Sequence, residues 1–233
     1  MKITFFALFI LLLFFSCNSD QEGCAEWESE SLMDYYWTSI RNTDKLILKR
    51  TVVYQDGNEA VSYRKISYPS SNTILYSGYD ANKNLIYEGE ESFNNEEVRY
   101  VSNRWKTNNI WVDDIYDEDL AFSSKNKNSK ARWHGSFSVG KDTIKYIVEE
   151  SSTLEKGTFE FNQVSKKCLI WKFNVYEIER VNGSINYEDY KKTTIYLLKG
   201  LGPVFAEVQF KNNPKMNHKV YSEFITIDEF NRL

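Results

Sequence analysis

Hydrophobic and polar residues alternate with a period of two along most of the chain after residue 46. In 203–210 the apolar residues Val204, Ala206, Val208 and Phe210 share one face. Such alternation is typical of β-strands with one buried face. Turn sequences such as Asp56-Gly57 and Asn182-Gly183 separate the segments and indicate tight hairpins, because glycine accepts a positive φ. About a dozen strands are therefore predicted, over 46–54, 60–68, 73–79, 84–91, 97–105, 110–116, 132–139, 143–150, 157–164, 168–181, 184–198, 203–210 and 218–227.

The connections between these segments are short, which predicts an antiparallel meander. A sheet of this size must curl or close, because long open sheets are unstable at their edges. We therefore predict a mostly β protein with a single strongly curved antiparallel sheet or open barrel. A two-sheet β-sandwich is the alternative. The polar residues 117–130 are predicted to form a long exposed loop, and no linker divides 29–233, which is expected to be one β-rich domain.

A different period precedes the strands, in residues 29–41. Met33, Tyr36, Trp37 and Ile40 recur at i, i+3, i+4 and i+7, as on one face of a helix. This pattern predicts one N-terminal helix, packed on the concave face of the sheet or plugging it.

The chain begins with an apolar segment, 3–15, that follows a single positive charge at Lys2. It is too short to span a bilayer, which takes about 20 residues, and it fits the apolar region of a secretory signal. Small Ser16 then precedes Cys17. We predict a signal peptide over 1–16 and a polar tether over 17–28.

Residues 1–17 resemble the signal of bacterial lipoproteins, with Phe14-Phe15-Ser16-Cys17 in the place of the lipobox. The resemblance departs at the two phenylalanines, where leucine and a smaller residue are usual. It implies that Cys17 carries a diacylglycerol and a further acyl chain such as palmitate, which together give firm membrane anchoring. Residues 18–22 are similar to the acidic export signal of surface lipoproteins in the Bacteroidota. This implies a lipid-anchored protein at the outer membrane or cell surface, with a periplasm-facing position as the alternative.

Two cysteines remain if Cys17 is lipidated, namely Cys24 and Cys168. An exported protein folds in an oxidising compartment, so a Cys24–Cys168 disulfide is one expectation. A buried core thiol at Cys168 is the other, because free cysteine is among the most buried residue types.

The chain shows no recognisable catalytic constellation. Its only histidines, His134 and His218, are accompanied by no nucleophile motif. The net charge of −4 lacks the basic footprint of nucleic-acid binding. A non-enzymatic protein without a cofactor and without nucleic-acid partners is therefore expected.

An acidic segment, 112–120, contains the four aspartates of a candidate calcium site. Their carboxylates are of the type that binds a hard cation, but their spacing is not that of an EF-hand loop. A solvated acidic loop is the alternative interpretation. The four residues are Asp113, Asp114, Asp117 and Asp119.

Tryptophan can supply a ligand-binding surface or pack in a core. Trp171 and Phe173 alternate with polar residues on a predicted strand and are expected in the core. Trp105 and Trp111 flank a polar turn and are the candidate ligand-contacting aromatics.

Residues 196–210, "YLLKGLGPVFAEVQF", are similar to a stretch of lipoprotein-carrier-like half-barrel proteins, which shelter acyl chains in a curved sheet. The resemblance implies a membrane-anchored protein with a non-enzymatic binding or carrier role for a hydrophobic ligand. Two other hypotheses stay open: a surface structural or interaction protein without a small-molecule site, and a hydrolase with dispersed carboxylates. The sequence identifies no protein partner.

Overall fold

A computed structural model describes residues 34–35, 46–123 and 128–233. Its strands alternate inward and outward side chains as the sequence pattern predicts. The thirteen strands are β1 (Leu46–Tyr54), β2 (Glu59–Ser70), β3 (Thr73–Tyr79), β4 (Leu85–Phe93), β5 (Glu97–Thr107), β6 (Ile110–Asp113), β7 (Ile115–Ser123), β8 (Ser129–Val139), β9 (Asp142–Phe161), β10 (Val164–Val181), β11 (Ser184–Leu198), β12 (Gly202–Phe210) and β13 (His218–Thr226). A 3-10 turn, Pro214–Met216, precedes β13, and one helix, α1 (Ile227–Arg232), follows it.

The strands form one antiparallel sheet that closes into a barrel of twelve strands, with β6 as a side extension of β5. The closing contact joins the two ends of the domain: β1 pairs with β13 from Leu46 opposite Thr226 to Tyr54 opposite His218. The predicted antiparallel meander is confirmed, and the predicted open barrel is wrong. Closure leaves neither β1 nor β13 as an unpaired edge, which removes the cost that an open sheet of this size carries.

The predicted exposed loop at 117–130 is wrong in its first part, because 115–123 forms β7. The acidic residues of this segment point outward, where Asp119 accepts a hydrogen bond from Arg99 at 2.7 Å. Phe122, on the opposite face, is buried inside the barrel. Residues 124–127 lie outside the described residues.

Strand β9 is continuous over 20 residues, so the break predicted between 150 and 157 is also wrong. The polar residues there pair with β10 without a register shift. Ser152 satisfies its hydroxyl by donating a hydrogen bond to the backbone carbonyl of Ala121 at 2.7 Å.

Apolar side chains fill the end of the barrel at which β1 begins. Ile74, Val98, Phe122 and Leu197 are almost completely buried there. Trp171 packs against Phe122 with ring centroids 4.6 Å apart, which confirms its predicted core position. Large side chains therefore close this end.

The described helix, α1, is C-terminal, whereas the sequence predicted an N-terminal one. Thr226 and Glu229 form a capping box at its start, and Phe230 packs on Tyr63 with ring centroids 5.0 Å apart. Of the predicted helix 29–41 the structure describes only Asp34, which is 3-10 helical, and Tyr35, which lies in a turn. The other residues of that prediction lie outside the described residues. Within the described ranges, no helix is both long and apolar enough to cross a bilayer.

Candidate ligand-binding site

The barrel encloses a cavity of about 660 Å³ between the apolar end and the opposite rim. This volume lies within the range of small-molecule sites, roughly 300–1,000 Å³. An eight-stranded barrel is just wide enough for side chains to fill, so a barrel with twelve strands has room left inside. Aromatic rings cover much of the wall: those of Tyr76, Tyr87, Tyr100, Trp105, Tyr116, Trp133, Tyr146, Trp171 and Phe173.

Three of these rings pack together on one wall of the lumen. Tyr100 stacks on Tyr116 with centroids 5.6 Å apart, and Trp133 packs edge-on against Tyr100 and tilted against Tyr116. Such contacts fix the ring planes. The result is a rigid aromatic surface for an apolar ligand.

Glycines hold three other tyrosines flat against the wall. Tyr87 lies over Gly78, Tyr76 over Gly89 and Tyr146 over Gly135, each pair directly opposed on neighbouring strands. A Cβ on any of these glycines would approach the tyrosine side chain to 2.3 Å or less. The absence of a side chain therefore lets each ring lie across the neighbouring strand instead of projecting across the lumen.

Two arginines, Arg50 on β1 and Arg64 on β2, face the same lumen. The Nε of Arg64 donates a hydrogen bond to Tyr87 Oη at 2.6 Å, and its guanidinium lies 5.0 Å from the Tyr76 ring centroid. Burial, and then the positive charge of Arg64, lower the pKa of Arg50 below its usual value. Arg50 lies close to Tyr87 as well, which partly offsets the lowering of the pKa of Arg50.

The lumen also contains Glu150 on β9, which is buried. Its Oε1 has no hydrogen-bond partner among the described residues, while Tyr100 hydrogen-bonds the carboxylate. Burial raises the pKa of Glu150 to about 8, and the nearby charge of Glu91 acts in the same direction. At neutral pH the carboxyl is therefore mostly protonated and can donate a hydrogen bond into the cavity.

Asp114 occupies the gap between β6 and β7 and turns into the lumen. Its Oδ1 accepts hydrogen bonds from Tyr146 Oη at 2.5 Å and Trp105 Nε1 at 3.3 Å, and Asn103 Nδ2 donates to Oδ2. Burial raises the pKa of Asp114, and the hydrogen bond from Tyr146 acts most strongly in the opposite direction. These three hydrogen bonds give Asp114 a structural role, because they connect the chain between β6 and β7 to β5 and β9.

The structure separates the two candidate ligand-contacting tryptophans. Trp105 lines the lumen, where its ring packs edge-on against Phe137. Trp111 lies on the outer surface, with the Arg104 guanidinium 4.9 Å from its ring centroid. Only Trp105 belongs to the cavity.

The four aspartates of the candidate calcium site are divided between the two faces of the sheet. Asp114 points inward, whereas Asp117 lies outside, 3.3 Å from His134, and Asp119 pairs with Arg99. Asp113 is exposed. In the part of the chain that the structure describes, no group of three or more such residues is placed to bind a metal ion.

The predicted roles of the cysteines rest partly on the N-terminal segment. Cys17 and Cys24 lie outside the described residues, so lipidation and the disulfide stay predictions. Cys168 is fully buried on β10, and burial raises the pKa of its thiol to about 11. A thiol in this environment is unreactive.

Sequence reasoning missed Arg50 and Glu150 in the lumen, although a signal for them exists. Arg50 stands between Leu48 and Val52 on the apolar face of its strand, and Glu150 follows Val148 in the same way. A charge that interrupts an apolar face indicates a buried polar site.

Comparison with known proteins gives little further information. No family model and no curated protein matches the chain. A predicted exported protein with a YmcC-like fold from Bacteroides fragilis is 10% identical, with a TM-score of 0.38 over 76% of this chain and 93% of that one. A predicted lipoprotein from Parabacteroides distasonis is 10% identical, with a TM-score of 0.38 over 78% and 96%. The hypothetical lipoprotein YmcC from Escherichia coli is 8% identical, with a TM-score of 0.36 over 77% and 86%. TM-scores this low establish neither a common fold nor a common function.

Proposed function

We propose that this protein is a lipid-anchored lipoprotein of the cell envelope whose barrel binds a small hydrophobic or amphipathic molecule in its lumen, without catalysis. The observation that carries the proposal is the cavity of about 660 Å³, which is lined largely by fixed aromatic rings. Cys17 is the residue through which the lipid anchor attaches. The location that follows is the outer membrane or the cell surface.

The cavity favours a binding role over the alternative of a surface protein without a small-molecule site. A purely structural barrel gains stability by filling its interior, because voids forfeit packing contacts. Here three pairs of glycine and tyrosine keep large rings against the wall and leave the centre open. This arrangement lowers the packing density of the barrel interior but preserves a volume in which a ligand can bind.

The test uses full-length protein purified from membranes and examined by native mass spectrometry for a co-purifying small molecule. Val175→Trp places a large ring into the lumen, where Val175 lines the wall. Val101→Trp adds the same ring at an exposed position on β5 and is the matched control. We expect the ligand to be retained by the wild type and by the control and lost from Val175→Trp. Equal retention by both variants would place the ligand outside the lumen and contradict the proposal.

A further inference from the structure

The cationic side chains of Lys191, Arg50 and Arg64, which line the lumen, differ in their interaction partners. Lys191 forms an ion pair with Glu177, so its charge is neutralised within the protein. Arg50 and Arg64 have no such partner, because no carboxylate oxygen of the described residues lies within 4.0 Å of either guanidinium. Arg64 instead donates a hydrogen bond to the hydroxyl of Tyr87, and Arg50 lies close to the same tyrosine.

The neighbouring acids do not neutralise this pair by direct contact. Against the lowering effect of burial, Glu91 attracts Arg64 electrostatically and raises the pKa of its guanidinium. Asp114 is occupied by its three hydrogen-bond donors, and Glu150 is mostly uncharged at neutral pH. Two like charges in a partly desolvated site raise the free energy of the protein, and a bound anion lowers it.

We propose that Arg50 and Arg64 bind the oxyanionic headgroup, a carboxylate or a phosphate, of an amphipathic ligand whose apolar chain lies along the lumen wall. The inference rests on the proposed function and assigns the chemical class of its ligand. Planar guanidinium groups match both headgroups through paired hydrogen bonds. Tyr87 Oη accepts a hydrogen bond from Arg64, so its own O–H is available to donate to the same anion.

An apolar strip begins beside the arginines and extends across three strands. Ser222 on β13 is opposite Arg50, and Val220, two residues away, is opposite Ala206 on β12. Ala206 is in turn opposite Ile195 on β11. All of these residues line the cavity, so a charged headgroup at the arginines places its alkyl chain against an aliphatic surface.

The experiment measures the affinities of four probes with the same chain length: decanoate, decyl phosphate, decanol and decyltrimethylammonium. Full-length protein in phosphatidylcholine nanodiscs is titrated by calorimetry at pH 7.5, with protein-free nanodiscs as the blank. We expect the anionic probes to bind about ten- to a hundredfold more tightly than decanol, as charge-assisted hydrogen bonds imply. The comparison of decanoate with decyl phosphate identifies the headgroup.

Arg50→Gln and Arg64→Gln should each remove about tenfold or more of this preference while decanol affinity stays unchanged. Arg104→Gln is the matched control, because it removes the same charge from the outer surface, where Arg104 pairs with Glu88. Thermal unfolding of each variant checks its fold, and the four probes on the wild type give a result that needs no variant.

The outcomes separate this inference from the proposed function. Equal binding of all four probes, or a preference for the cationic one, overturns the anion site and leaves a lumen that binds apolar chains. Loss of the anion preference in Arg104→Gln as well as in the lumen variants also overturns it. Binding of no probe at all overturns the proposed function together with the inference.

Discussion

At the residue scale, the burial of Glu150 has an electrostatic cost that can be tested directly. It lies in the lumen with Tyr100, Tyr116 and Glu91 as its titratable neighbours, and burial raises its pKa from 4.5 to about 8. A carboxyl with a higher pKa in the folded state binds more protons folded than unfolded between these two values. The contribution of Glu150 to the free energy of unfolding therefore falls as the pH rises from about 4.5 to about 8.

Glu150→Gln should remove this pH dependence, because the amide does not ionise. We expect its free energy of unfolding, relative to wild type, to rise between pH 5 and pH 8.5 by more than about 1.4 kcal/mol, the equivalent of one pKa unit. Urea unfolding followed by tryptophan fluorescence measures it. Glu149→Gln is the control, since Glu149 is exposed beside Arg132. If the difference between Glu150→Gln and wild type is the same at both pH values, the carboxyl is not protonated in the folded protein.

The residues of the lumen were only partly predictable from the sequence. Trp105 was singled out as a candidate ligand-contacting aromatic and Asp114 as part of a candidate calcium site, but neither prediction placed its residue inside a barrel. Asp114 turns inward since the strand is interrupted between β6 and β7, and no local pattern encodes that interruption. The buried positions of Arg50 and Glu150 could have been predicted, because each is a charged residue on the apolar face of its strand.

At the element scale, the glycine and tyrosine pairs connect strand register to the shape of the lumen. Gly135 on β8 is opposite Tyr146 on β9, and a Cβ there would lie 2.0 Å from Tyr146 Oη. That hydroxyl is held by Asp114 at 2.5 Å, so the ring has no free direction in which to move. The register of β8 against β9 thus determines both the position of the Tyr146 ring in the lumen wall and its hydrogen bond to Asp114, between β6 and β7.

Gly135→Ala should therefore destabilise the barrel by about 1–3 kcal/mol, the usual cost of overpacking. Gly157→Ala, on the same strand as Tyr146, is the control, because its Cβ meets only the flexible end of Ile170. We expect the control to lose less than about 1 kcal/mol. Denaturant unfolding compares the two variants. Equal losses would show that the ring of Tyr146 repacks freely.

Strands were the best-predicted elements, and the errors have identifiable causes. β1, β3 and β11 have the predicted bounds. β7 was missed because ion pairs with outward-facing arginines stabilise its acidic residues, which in isolation are typical of a loop. The middle of β9 was missed because the hydroxyl of Ser152 finds its backbone partner only in the folded sheet.

At the scale of the whole molecule, closure of the barrel is the property that the sequence did not predict. The closing strands β1 and β13 are separated by more than 160 residues, and their pairing depends on the accumulated tilt and register of every strand between them. Local alternation of hydrophobic and polar residues predicts the strands and their order, but it does not predict the accumulated tilt and register that close the barrel. The difference matters for function, because an open sheet offers a groove whereas a closed barrel encloses a cavity.

We predict that this barrel is attached to a membrane through one residue, Cys17. If its thiol is lipidated, several acyl chains contribute about 0.8 kcal/mol for each buried methylene, which gives firm anchoring. We expect Cys17→Ser to lose the acyl mass of the wild-type protein and to leave the membrane fraction, as measured by intact mass spectrometry and detergent phase partitioning. Cys24→Ser, seven residues further along the tether, should keep both properties. Unchanged mass and partitioning in Cys17→Ser would mean that the N-terminal segment anchors the protein without a lipid.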